Sequence, residues 1–127
     1  MKRYWLYLML IAVCQTYCVG QKKQQKLAKN KMVDYYQART IALEKMATFS
    51  PAKDIVLWEE QTITKPYGWI FIFTTEKYIE TRNPNDTRPG TPAIIVEYQT
   101  GLATETPSSV PLETFLREFE KKFQPKY

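Results

Sequence analysis

The stretch from Gly68 to Leu102 most constrains what this chain can fold into. It reads Gly-Trp-Ile-Phe-Ile-Phe, passes through a polar segment into Arg-Pro-Gly-Thr-Pro, and continues as Ala-Ile-Ile-Val-Glu-Tyr-Gln-Thr-Gly-Leu. Successive side chains of a strand point to opposite faces. Trp69, Phe71 and Phe73 therefore share one face and Ile70 and Ile72 the other. Both faces are apolar, so this strand belongs at the centre of a sheet. Ala93 to Gln99 is the next expected strand, Thr100-Gly101 the turn after it, and Leu102 to Thr106 a short returning edge strand. Between them, Arg82 to Pro92 is the longest loop, and Pro89-Gly90 suits a type II turn with glycine where φ is positive.

The flanking segments supply the rest of a domain. Met32 to Phe49 reads as a helix, with Tyr35, Ala38, Ala42, Met46 and Phe49 at helical spacing, Asp34 near the positive end and Ser50-Pro51 as the stop. Asp54 to Thr64 reads as an irregular strand. Its Glu59 and Glu60 resemble a carboxylate pair, but strand neighbours diverge and do not converge on one atom. Lys77 to Thr81 reads as a continuation of the aromatic strand through a bend. Pro111 opens a second helix, with Leu112, Phe115, Leu116, Phe119 and Phe123 on one stripe and Glu113–Arg117 and Glu118–Lys122 at i, i+4. The expected fold class is α+β: an N-terminal helix, an antiparallel four-stranded sheet arranged as a β-meander, and a C-terminal helix packed on the sheet. The expected domain covers residues 32–127.

Before that domain the chain changes character. Lys2 and Arg3 precede an apolar run from Tyr4 to Val13, and the segment ends Cys-Val-Gly before Gln21. This is the layout of a secretory signal peptide over residues 1–20. Lipidation at Cys14 and an uncleaved anchor are the alternatives, the first weakened by the bulky Val13 and the second by length. Residues 21–31 form a Lys/Gln-rich linker. The overall charge of +5 belongs to this region. Residues 1–33 carry seven Lys/Arg and no acid, whereas 11 Lys/Arg face 13 Asp/Glu from Asp34 onward, a balance of −2. The basicity therefore marks a leader and linker, and no nucleic-acid-binding face is expected. Membrane contact is expected only through the leader or through Cys14. The leader places the domain in the periplasm or the medium.

Ready-made chemistry is scarce. The chain has no His, and its two cysteines, Cys14 and Cys18, both lie in the leader. No glycine-rich phosphate loop, zinc spacing or nucleophile elbow is present. No cofactor is expected, and carboxylates and lysines are the remaining acids and bases. Asn85-Asp86-Thr87 fits a glycosylation sequon, a tripeptide that often matches by chance. From residues alone, the long loop reads as a solvated connection.

From Gly68 to Phe123 the chain resembles the immunity protein 35 family of small bacterial domains. The resemblance rests on Gly68-Trp69 opening an aromatic strand, Gly90 ahead of Ile94-Ile95-Val96-Glu97, the spacing to Thr100-Gly101, and Pro111-Leu112-Glu113. Two features depart from the family pattern. Thr91 stands where an asparagine is usual, with the proline one place early, and the leader is additional. The resemblance implies a binding protein that neutralises a cognate protein toxin of a polymorphic toxin system, with no catalytic residue of its own. Some relatives look more like small chaperone-like proteins. With a leader, the toxin would act outside the cytoplasm. A carboxylate enzyme is the third, disfavoured reading. The expected partner-binding residues are Tyr67, Arg82, Arg88 and Thr91, chosen for loop position and exposed-type chemistry.

Overall fold

A computed structural model describes residues 32–49 and 53–124. The leader, the linker, both cysteines and the Ser50-Pro51 stop lie outside the described residues. The architecture below is that of the unit Met32–Tyr127.

Helix α1, Tyr35–Phe49, begins at a reciprocal cap. The Gln37 N–H donates to Asp34 Oδ1 at 2.8 Å, and the Asp34 N–H donates to Gln37 Oε1 at 3.0 Å. Two orphan amides of the first turn are thereby satisfied. The helix buries Ala38, Ala42 and Met46, the expected stripe, while Phe49 at its end stays exposed. Helix α2, Glu76–Thr81, and helix α3, Leu112–Glu120, follow later in the chain.

Among the described residues there are six strands: β1 (Ile55–Leu57), β2 (Ile63–Lys65), β3 (Gly68–Phe71), β4 (Phe73–Thr75), β5 (Ile94–Glu97) and β6 (Ala103–Glu105). All pairings are antiparallel. The α+β class and the two flanking helices match expectation. The single four-stranded meander does not, because the strands form two sheets. One has the order β2-β3-β5-β6, and the other is the ribbon β1-β4.

The split has a local cause. Leu57 pairs with Phe73, and Ile63 pairs with Ile70, so six steps along one strand face three along its partner. The extra residues fold into a 3₁₀ turn over Glu59–Gln61, closed by Gln61 N–H to the Trp58 carbonyl at 3.0 Å and Thr62 N–H to the Glu59 carbonyl at 3.1 Å. Such an insertion breaks the ladder and bends the strand. The strand expected through Glu59 and Glu60 is therefore corrected to a turn, and Arg39 Nε holds Glu59 Oε1 at 2.6 Å.

The segment from Lys77 to Thr81 is likewise helical, not a continued strand. Thr75 Oγ1 accepts the Tyr78 N–H at 3.1 Å, a helix N-cap. Arg82 ends the helix in the left-handed region at φ 57°, its N–H bonded to the Tyr78 carbonyl at 2.9 Å. Capping overrode the β-forming composition of Tyr78, Ile79 and Thr81.

Two apolar layers flank the main sheet. On one face Ala38, Ala42 and Met46 of α1 pack with Phe71, Phe73, Ile94 and Val96, and Trp69 joins them. On the other, Ile70, Ala93 and Ile95 pack with Leu116 of α3, joined by Ile72, Leu112, Phe115 and Phe119. This explains why β3 and β5 are apolar on both sides, and the alternation of Trp69 to Phe73 survives the break at Ile72. Alanines at 38 and 42 allow the helix backbone to approach the sheet closely. No described helix is long and apolar enough to cross a membrane.

Candidate functional site

The four expected partner-binding residues fall at two ends of the sheet. Tyr67 sits in the turn that feeds β3, whereas Arg82, Arg88 and Thr91 belong to the loop joining α2 to β5 at the other end. At least the length of β3, roughly 13 Å, separates those ends, so the fold does not gather all four.

At the loop end the side chains are engaged with the protein itself. The Arg82 guanidinium lies 4.4 Å from the Trp58 ring centroid, and Tyr78 meets the same indole edge-on at 5.8 Å. Arg88 Nη2 contacts both oxygens of Asp54, at 2.9 and 2.8 Å, tying the loop to the chain ahead of β1. Thr91 Oγ1 donates to the Arg88 carbonyl at 2.8 Å, spanning the Pro89-Gly90 turn, where Gly90 has the expected positive φ of 81°. Asp86 is held by Thr81 Oγ1 at 2.6 Å and by Lys77 Nζ at 2.9 Å. The Thr81 hydroxyl first, and then Lys77, keep its carboxyl below the usual range. Asn85 is exposed in the 3₁₀ turn Pro84–Asp86. A cavity of 240 Å³ opens beside this loop, lined by Ile72, Phe73, Thr91, Ala93, Val110 and Leu112 among others, none of them ionisable.

At the turn end, polar and aromatic groups converge. The Tyr98 N–H donates to the Tyr67 carbonyl at 2.9 Å, joining the turn before β3 to the turn after β5. The Tyr67 ring stacks on Phe123 with centroids 4.5 Å apart and planes 1° from parallel. Its hydroxyl donates to Glu120 Oε1 at 3.0 Å, and Lys65 Nζ reaches the same oxygen at 2.8 Å. Burial, and then the Glu120 carboxylate, push the Tyr67 phenol well above its ordinary range. Tyr67 is thereby a neutral donor and anchors the end of α3. Lys65, and after it Tyr67, hold the Glu120 carboxyl below the usual range.

Glu97 is the unusual member of this group. It ends β5 in phase with Ile95, on the α3 face, and its side chain is only 12% exposed. Lys122 Nζ lies 3.2 Å from Glu97 Oε1, 3.9 Å from the Phe119 ring centroid and 4.8 Å from that of Phe123. A cavity of 260 Å³ opens here, lined by Pro66, Tyr67, Glu97, Tyr98, Phe123 and the chain at Gln99–Thr100. Aromatic faces beside a nearly buried carboxylate are the chemistry that holds a cation.

Of this end, sequence reasoning named only Tyr67. The signal for Glu97 was available: period-two alternation places it on the same face as Ile95. Lys65, Tyr98, Glu120 and Lys122 carry no such signal, since only the fold brings them together. The expected pair Glu118–Lys122 is replaced by Glu118–Lys121, with contacts of 2.8 and 2.7 Å, because Lys122 turns to Glu97. Among the described residues, no cluster of three or more His, Cys, Asp or Glu side chains is placed to hold a metal ion.

Compared with known proteins, the chain matches no family model, no curated protein and no solved structure.

Proposed function

We propose that this chain is an exported immunity protein that binds and neutralises a cognate bacterial toxin. One observation carries the reading. The charged side chains engage one another between elements, as in Arg39–Glu59, Arg88–Asp54, Lys65–Glu120 and Lys122–Glu97. Of the two cavities described above, one is lined by a single carboxylate and two phenols, Tyr67 and Tyr98, and the other by no ionisable group. Proton transfer between positioned groups needs ionisable side chains that converge on a substrate. A doubly covered sheet with shaped ends suits stoichiometric grip better. The resemblance to the immunity protein 35 family supports the same reading, and Gly68, Trp69 and Ile94 to Glu97, which carry it, are in the two central strands. The leader layout supports action in the periplasm or outside the cell.

A second reading, an exported chaperone-like interaction domain, draws on the apolar groups left in solvent. Tyr36 is 77% exposed, Met32 57% and Leu102 56%. Exposed apolar surface of this kind can hold unfolded clients.

Sequencing the flanking genes and co-expressing their products separates the two. On the immunity reading a neighbouring product arrests growth when exported, this chain relieves the arrest, and the two purify as a complex. If no neighbour is toxic and the chain suppresses aggregation of unrelated proteins, the immunity reading is lost and the second takes its place.

A further inference from the structure

We infer that the Glu97 cavity receives one cationic side chain of a protein partner, arginine in preference to lysine, and that Lys122 is its resident competitor. The inference deepens the binding reading above and rests on it only for taking the cation from a protein.

Size selects the class of occupant. Pockets that enclose a drug-sized molecule run from about 300 to 1,000 Å³. At 260 Å³ this one is below that range and suits a single long side chain. Its chemistry selects the charge. Glu97 is nine-tenths buried, yet among the described residues its carboxylate has one ion-pair partner, at Oε1. The second oxygen belongs to a carboxylate that lines the cavity. Burying an ionised carboxylate is costly unless it is paired, so an incoming cation gains a partner already stripped of much of its water. The molecule also supplies its own precedent: the Lys122 ammonium sits against that carboxylate and two phenyl faces. Its side chain is 43% exposed, so it can swing out into water.

Shape favours arginine. A guanidinium is planar, stacks on aromatic faces, and can bond both oxygens of a carboxylate, which an ammonium cannot match in geometry. Phe123, Tyr67 and Tyr98 supply aromatic surface around the opening. An arginine on both Glu97 oxygens would share Oε1 with Lys122 and meet its like charge, so partner binding and the Lys122–Glu97 ion pair compete.

The test is a titration of the isotope-labelled full chain, followed by amide chemical shifts, with the blocked amides of arginine, lysine and norleucine. Arginine amide should move the signals of Tyr67, Glu97, Tyr98 and Gln99, lysine amide should do so more weakly, and the uncharged norleucine amide should not. Lys122→Met should tighten the arginine complex by about fivefold, the factor set by removing a competing, partly exposed ion pair. Glu97→Gln should abolish saturable binding. Equal shifts from norleucine amide, or no tightening in Lys122→Met, would overturn the inference. The two variants move affinity in opposite directions, so a folding defect in Glu97→Gln leaves the Lys122→Met arm decisive. Arginine binding without any toxin partner would sink the immunity reading and leave this one standing, and the reverse pattern would do the opposite.

Discussion

A Cβ built on Gly68 would lie 2.0 Å from the carbonyl oxygen of Val96. The first residue of β3 runs that close to the backbone of β5, and its φ of 155° lies where side chains are rarely tolerated. The obstacle is backbone in a central ladder, so it cannot rotate away. Gly68→Ala should therefore cost about 2–4 kcal/mol, read from urea unfolding. A loss below about 0.5 kcal/mol, the range of ordinary surface changes, would show that the two strands separate more easily than this contact implies.

The close seating of α1 leads to a second expectation. Ala38 and Ala42 have no exposed surface and lie against Phe71, Ile94 and Val96. Adding methylenes to a filled core forces neighbours off their rotamers. Ala42→Leu should destabilise by about 1–3 kcal/mol, whereas Ala47→Leu, on the exposed side of the same helix, should leave the unfolding midpoint nearly unchanged. Equal effects at both positions would mean that α1 is not pressed against the sheet.

Much of this packing was legible beforehand. The alternation from Trp69 to Phe73, the alanine stripe of α1 and the stripe of α3 from Leu112 to Phe119 are periodic signals, and burial reads periodicity directly, whereas Phe123, expected on the same stripe, lies past the helix and is 42% exposed. The turn at Glu59–Gln61 and the helix at Glu76–Thr81 were not legible. Neither is periodic: the first depends on three extra residues in a pairing register, and the second on the single hydroxyl of Thr75. The candidate site was legible only at Tyr67. Glu97 could have been placed by phase, but its convergence with Lys122, Phe123 and Tyr98 depends on how β5 and the end of α3 meet in space.

The Arg88–Asp54 contact separates a binding role from a structural one. Both side chains are about half exposed, 49% and 51%, and pairs of that kind contribute about 0–1 kcal/mol. Arg88→Glu should therefore unfold within about 1 kcal/mol of the parent. On the immunity reading proposed above, with this loop facing the toxin, reversed charge should nonetheless change the association rate with it, most strongly at low salt. Unchanged association kinetics would remove Arg88 from the binding surface, and a large loss of stability would show that the loop depends on this pair.

Stability should fall on both sides of neutrality, for reasons that can be assigned. The carboxyls of Asp86 and Glu120 both titrate below their ordinary values. A depressed carboxyl stabilises the fold above its unfolded pKa, and that contribution is lost as pH falls through the folded value. The acid-side decline should thus begin near pH ~4 and continue below it. The Thr81 hydroxyl is the largest cause at Asp86 and Lys65 the largest at Glu120, so Thr81→Val and Lys65→Met should each flatten that slope. Lys77 and Tyr67 are shifted upward, Lys77 chiefly by its hydrogen bond to Asp86 and Tyr67 chiefly by burial. Groups with raised values stabilise the fold below their unfolded pKa, and that contribution declines as pH rises beyond about 10. The Lys77 ammonium is well exposed, so added salt should weaken the share of its contact with Asp86, while the part set by burial of Tyr67 should persist. Urea unfolding from acid to alkaline pH, at low and high salt, checks each slope. An acid limb unchanged in both Thr81→Val and Lys65→Met would show that other carboxyls carry it.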